Sequence, residues 1–175
     1  WEQAQQHPQR CVSFARPLIR EIREPIDVVY TWVDGDDPAW QRRKAEALGE
    51  DQLAAVNPTA ASASRFANRD ELMYSLRSLE MYASWVRHVY LVTDQQVPAW
   101  LRRDHPKLTV VDHRDIFSDP RVLPVYNSHA IESQLHHIPG LSEQYIYMND
   151  DVFFFRAVEP DLFFTSSGLS KYFLS

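Results

Sequence analysis

Ile26-Asp27-Val28-Val29-Tyr30-Thr31-Trp32-Val33, followed by Asp34-Gly35-Asp36-Asp37-Pro38, is the stretch whose reading decides the fold. Apart from Asp27, its first eight residues are β-branched or aromatic, which predicts a buried strand. The Asp, Gly and Pro residues that follow predict a turn. Pro38 is suited to open a helix, and Trp40 to Leu48 carries helix formers up to Gly49, where that helix is expected to end. Residues 57–64 are small, polar and Pro-containing, the composition of a surface loop.

The same strand-then-carboxylate theme recurs three times. Val89 to Thr93 runs into Asp94, Leu108 to Val111 into Asp112, and Gln144 to Met148 into Asn149-Asp150-Asp151. Between the strands, Leu72, Leu76, Leu79, Ala83 and Val86 recur at steps of three and four, the seam of an amphipathic helix, with Asn68 and Glu71 spaced as a capping box. Asn127 and Ser128 are expected to cap another helix, with a seam of Ile131, Leu135 and Ile138 and a stop at Pro139-Gly140. Short apolar strands alternating with helices predict an α/β, Rossmann-like domain with a mainly parallel sheet and flanking helices. Residues 1–24 read as a lead-in and 25–175 as the N-terminal part of that domain.

Composition narrows the function. With 175 residues, 45% of them apolar, the chain supports one core. A net charge of −6 argues against a nucleic-acid partner. The lone Cys11 forms no internal disulfide. Apolar runs such as Val152 to Phe155 are far too short to span a bilayer, and residues 1–24 lack the apolar core of a secretory signal, so the chain reads as cytoplasmic. It begins with Trp1 and ends just after Tyr172-Phe173-Leu174, and therefore reads as a fragment.

Ligands of open α/β sheets bind beyond the carboxyl ends of the strands, and those ends carry Asp34, Asp36, Asp94, Asp112, Asp150 and Asp151. Carboxylates gathered on one edge repel one another unless a cation joins them, and hard oxygen ligands suit Mg²⁺ or Mn²⁺ with a phosphate-bearing substrate. Asn149-Asp150-Asp151 also has the composition of an ordinary turn, but Val152-Phe153-Phe154-Phe155 directly after it predicts a chain that stays buried. His129, Glu132 and His136 fall on one helical face. Their spacing is not that of the helical zinc proteases, which leaves a solvated polar face or a lone Glu132 acting as base or substrate ligand. Arg65 and Arg69 stand within reach of a phosphate or are merely solvated. Hydrolase elbow, Walker loop, dinucleotide glycine fingerprint and cysteine pair are all missing.

These motifs together resemble the Stealth family of sugar-phosphate transferases, which includes bacterial capsular and cell-wall polysaccharide phosphotransferases. Asp27 to Gly35 with Asp37-Pro38 is similar to the family's first conserved block. Arg65-Phe66, Asp70 to Ser78, Trp85 to His88, Val92-Thr93-Asp94 and Pro98 to Leu101 are similar to the opening of the second, and Asn127 to Ser133 with Asn149 to Phe154 to its end. The resemblance implies transfer of a hexose 1-phosphate, such as GlcNAc-1-phosphate, from a UDP-linked donor to a hydroxyl of a polysaccharide acceptor, with release of UMP. A metal-dependent phosphohydrolase and a noncatalytic nucleotide-sugar binding module are the alternatives.

Residue by residue, the resemblance implies catalytic roles for Glu132 and Asp151, with Asp151 and its neighbour Asp150 on the Mg²⁺ or Mn²⁺. It implies donor or substrate contacts for Tyr30, Thr31, Trp32, Asp34, Gly35, Arg65, Asn127, Ser128 and His129. The family's Arg-Phe-x-Asp-Asn reads Arg65-Phe66-Ala67-Asn68-Arg69 here, and its Thr-Asp-Gly-Gln reads Thr93-Asp94-Gln95-Gln96. The family's third and fourth blocks, carrying a catalytic His and Arg, are expected beyond residue 175 in a C-terminal segment of the same protein. Without them a partial fold, or a gap in the sheet, and little turnover are expected.

Overall fold

The computed structural model describes residues 22–55 and 69–172. Arg65, Asn68, the loop 57–64 and most of the lead-in lie outside these residues. Contacts divide the chain into Pro25–Val158 and a second unit that includes Glu159 onward. In the second unit a 3-10 turn, Pro160–Leu162, leads into an antiparallel bridge of Phe164 with Ser170.

Pro25–Val158 is an α/β Rossmann-like unit. Strands β1 (Ile26–Thr31), β2 (Val89–Thr93), β3 (Leu108–Asp112) and β4 (Gln144–Asn149) form one sheet in the order β3-β2-β1-β4. Every pairing is parallel, and the described strands pair without the gap expected from the sequence. β1 lies at the centre because its residues are apolar on both faces, as a strand covered on both sides requires. Val28 and Tyr30 pack with Leu72, Leu79 and Val86 on one face. Val29 packs with Val92, Ile116, Leu135 and Ile138 on the other.

Helix α2 (Glu71–Tyr82) covers the first face through Leu72 and Leu79, both buried. Truncating either to Ala would cost about 2–5 kcal/mol. The opposite face is covered by α3 (His113–Ile116), α4 (Ser128–Glu132) and a 3-10 turn, Leu135–His137. The single helix expected from Asn127 to Ile138 is thus two short pieces: α4 closes at Ser133, and Ile131, Leu135 and Ile138 still reach the core. His136 lies on the separate 3-10 turn rather than on α4 with His129 and Glu132. Helix α1 (Pro38–Ala55) does not stop at Gly49 but runs through it.

Asp27, Ser75 and Thr93 are polar and fully buried, and of these Asp27 carries a charge. Asp27 is fully buried at the start of β1, and its carboxylate accepts from Arg87 Nε at 2.8 Å, from Arg87 Nη2 and from the Ser142 N–H at 2.7 Å. Arg87 Nη2 also donates to the Gly140 carbonyl at 2.7 Å. Burial alone would push the Asp27 carboxyl up. The guanidinium and the backbone donor outweigh it and hold the group below the usual carboxylate range. Gly140 has φ +81°, and a side chain there would meet the Tyr90 hydroxyl at 3.4 Å.

Candidate functional site

The chain leaves β1 toward β2 and β3 and then returns to the other side of β1 as β4, so the strand order switches between β1 and β4. Ligands of such sheets sit in the crevice at that switch. In register, Thr31 lies opposite Asn149. Thr31 to Asp34 and Asn149 to Asp151 therefore flank one crevice.

Of the six strand-end aspartates, those at the ends of β2 and β3 are already occupied, and this corrects the expectation of one acidic cluster. Asp94 accepts from Arg43 Nε at 3.2 Å and Nη2 at 3.0 Å. Asp112 caps α3 through the Arg114 N–H at 3.0 Å and also accepts from the Gln95 N–H at 2.9 Å. Asp34 folds back on its own turn, its Oδ1 taking the Asp36 N–H at 3.1 Å, while Gln96 holds Asp34 through both the backbone N–H and the carbonyl. Among the described residues no group of three or more His, Cys, Asp and Glu side chains converges on a metal-sized point.

Asp150 and Asp151 remain. Asp150 is partly buried, and its carboxyl is raised, first by that burial and then by the negative charges of Asp151 and Glu71. A hard cation relieves such crowding, and Mg²⁺ commonly takes only one or two carboxylates and completes its shell with water and substrate phosphates. The residues present fit that ion. The backbone just beyond them is fastened to α2. Ser75 Oγ donates to the Val152 carbonyl, and Ser78 Oγ accepts the Phe154 N–H at 3.0 Å. Further on, Trp85 Nε1 donates to the Val158 carbonyl at 2.6 Å. The buried run expected after Asp151 is only partly so: Phe154 packs on the core, whereas Val152 is 43% and Phe155 86% exposed. Hydrogen bonds rather than continuous apolar burial hold this segment.

Glu132 arrives from the opposite face. It ends α4, whose first turn is capped by Asn127 Oδ1 accepting the His129 N–H at 3.0 Å. Tyr147 of β4 donates its hydroxyl to Glu132 Oε1 at 3.3 Å, and the same hydroxyl lies 2.9 Å from Thr31 Oγ1. His129 Nδ1 is 3.5 Å from Glu132 Oε2. Burial raises the Tyr147 hydroxyl and the nearby Glu132 charge adds to this, so it remains a protonated donor. A Thr–Tyr–Glu chain thus ties β1, β4 and α4 together at the crevice.

The other expected contacts sort by depth. Tyr30 is fully buried; its hydroxyl bonds Ser75 Oγ at 2.8 Å and is pushed up to about 12 by burial. Trp32 is buried in the same cluster as Tyr30. Asn127, Ser128 and His129 are exposed at the start of α4, and Asp34 and Gly35 are partly buried. Arg65 lies outside the described residues. The sequence reading missed Tyr147, Ser75 and Ser78. Tyr147 was signalled by its place two residues before Asn149, on the same face of β4.

A parallel α/β sheet with carboxylates at its switch point defines a Rossmann-like domain of the kind that binds phosphate-bearing ligands at that edge. Comparison with known proteins makes the class specific. The model of Stealth protein conserved region 1 matches residues 24–52, and that of conserved region 2 matches residues 65–172. The chain belongs to the Stealth family. It is 57% identical over 161 residues to the exopolysaccharide phosphotransferase SCO6023 of Streptomyces coelicolor, covering 92% of this chain and 27% of that protein. It is 58% identical over 163 residues to SCO2594 of the same organism, covering 93% of this chain and 26% of the relative. To the exopolysaccharide phosphotransferase CpsY of Mycobacterium tuberculosis it is 45% identical over 156 residues, 89% of this chain and 29% of CpsY. The chain therefore spans little more than a quarter of these relatives' length. No helix among the described residues is long and apolar enough to cross a membrane.

Proposed function

We propose that this chain forms the donor-binding part of a transferase that moves a hexose 1-phosphate from a UDP-sugar to an acceptor hydroxyl during exopolysaccharide synthesis. The observation that carries this reading is the Thr31–Tyr147–Glu132 chain at the end of β1 and β4, with Asp150 and Asp151 directly after β4 and the charge of Asp150 felt by Tyr147. Thr31, Asp34, Gly35, Asn127, Ser128 and His129 line the approach for the donor, with Tyr30 and Trp32 held in the core.

In the reaction the acceptor oxygen attacks the sugar-bearing phosphorus, the bond from that phosphorus to the bridging oxygen breaks, and UMP leaves with that oxygen. Glu132 accepts the proton from the acceptor hydroxyl; Tyr147 holds its Oε1, which leaves Oε2 to face the substrate once the exposed His129 ring swings aside. Mg²⁺ or Mn²⁺ held by Asp151 and Asp150 would supply neutralisation of the charge on the phosphoryl oxygens and the departing UMP. A C-terminal segment of the same protein is proposed to contribute the remaining catalytic groups, and the reaction is assigned to the cytoplasm, where nucleotide sugars are made.

The test is UMP release from UDP-GlcNAc and related donors by the protein at its natural length, with and without an acceptor glycan. Release that requires acceptor supports transfer. Equal release with and without it makes the protein a phosphohydrolase, and binding without release makes it a noncatalytic module.

A further inference from the structure

Directly after Asp150 and Asp151 the chain lays an aromatic segment along α2 with two of its rings turned outward. Phe154 packs on the core, whereas the rings of Phe153 and Phe155 come within 6.4 Å of each other and Phe155 is 86% exposed, the alternation of an extended chain. This backbone is not loose. Ser75 and Ser78 hold it at Val152 and Phe154, and farther on the Val158 N–H donates to the Tyr82 carbonyl at 2.9 Å. The fold therefore presents the two rings to solvent on a fixed support. On α2, Tyr74 and Met81 lie four residues before and three after Ser78, on the helix face beside the segment, and both are exposed. Exposed Arg156 and Arg77, the latter 5.6 Å from the centre of the Tyr74 ring, rim the patch. Exposed apolar groups rimmed by polar ones mark a ligand or partner surface.

Position and chemistry select the occupant. Chain geometry keeps Phe153 within about 7 Å and Phe155 within about 14 Å of Asp151, so the rings begin beside the carboxylates and lead away from them. A sugar ring offers an apolar C–H face to an aromatic ring and hydroxyls at its rim. The product of the proposed transfer also carries a phosphodiester, which an arginine binds well. Two rings in single file with two cations, on a chain of net charge −6, match such a polymer better than an anionic bilayer. We infer that Phe153 and Phe155 form a track for the acceptor glycan, whose terminal hydroxyl lies at the carboxylates while the preceding sugars stack on the rings. The inference rests on the transferase reading above and adds where the acceptor runs.

The test uses the protein at its natural length, fragments of its host's own exopolysaccharide cut by ultrasound, and the terminal monosaccharide of that polymer as a short acceptor. Fragment binding by calorimetry and UMP release with each acceptor are compared in wild type, Phe155→Leu, which keeps an apolar side chain without a ring, and Phe155→Trp, which keeps a ring. The fragment KM is expected to rise ~10-fold in Phe155→Leu and to stay within about twofold of wild type in Phe155→Trp, with the KM for the monosaccharide and for the donor unchanged. A fragment KM within about twofold of wild type in Phe155→Leu overturns the track and favours an ordinary apolar contact, with protein or lipid, which leucine preserves. A melting temperature lowered by several degrees in Phe155→Leu also overturns it, because the ring is then buried against the rest of the protein. Failure of the transferase reading gives a different pattern: wild type releases no UMP with either acceptor, while fragment binding is still lost in Phe155→Leu and kept in Phe155→Trp.

Discussion

The two ends of β1 hold acidic groups under opposite conditions. At its start, Asp27 is sealed from solvent and bonded by Arg87 and the Ser142 N–H, while the Gly140 carbonyl occupies a further donor of the same arginine. Past its other end, the Asp150 carboxyl is partly buried near the negative charges of Asp151 and Glu71, with backbone N–H groups and no cationic side chain to offset them, ahead of a backbone fastened by Ser75 and Ser78. The same residue type is structural where the fold supplies a cationic partner, and in the function proposed above it serves chemistry where the fold supplies none.

Substitutions at the two ends should separate cleanly. The largest effect is expected from Glu132→Gln or Asp151→Asn at the natural length, a loss of ~10³-fold or more in kcat with little change in melting temperature. A parallel loss of stability would break the comparison. Next, Arg87→Ala leaves the buried Asp27 carboxylate without its ion pair. A loss of about 2–4 kcal/mol is expected, below the full value for a buried pair because Arg87 is itself 44% exposed. Chemical denaturation measures it, and activity per folded molecule should hold.

The same pair sets a pH dependence. Because the folded-state value of Asp27 lies below its ordinary one, its contribution is present above the usual carboxylate range and is lost as pH falls through the lowered value. Melting temperatures recorded below about pH 4 should fall less steeply in Asp27→Asn than in wild type.

Smaller effects sharpen the picture. Tyr147→Phe keeps the ring but frees Glu132 Oε1, and ~10-fold in kcat with a shifted pH–rate profile is expected; an unchanged profile would make Tyr147 merely structural. Gln95 adopts φ 57°, the left-handed conformation that glycine accepts most readily, at the position where the family motif carries Gly. Gln95→Gly should therefore stabilise by up to about 1 kcal/mol, read from the denaturation midpoint.

Much of this was legible in the sequence because it is local. All four strands, the seam of α2 and the Asn127 cap follow from residue types a few positions apart. What was misread depends on distant partners. Asp94 looks like its neighbours in the acidic row until Arg43, 51 residues earlier, folds across it. Asp27 reads as a lone polar residue in a strand until Arg87 and Ser142 arrive from elsewhere in the chain. The break after Glu132, where α4 closes at Ser133 and Leu135 opens a separate 3-10 turn, leaves no mark in the seam of Ile131, Leu135 and Ile138, which keeps its helical spacing. Glu132 and Asp151 were singled out through long motifs, whereas the Tyr147 hydroxyl that joins Glu132 to Thr31 emerged only when β1 and β4 were seen side by side.

The most direct test of the account is a calorimetric titration with UDP-GlcNAc, with and without Mg²⁺, of wild type, Asp151→Ala and Asp27→Asn, each shown to be folded at the temperature used. The account predicts Mg²⁺-dependent binding by wild type and Asp27→Asn and its loss in Asp151→Ala. Binding by Asp151→Ala as tight as that of wild type would contradict it.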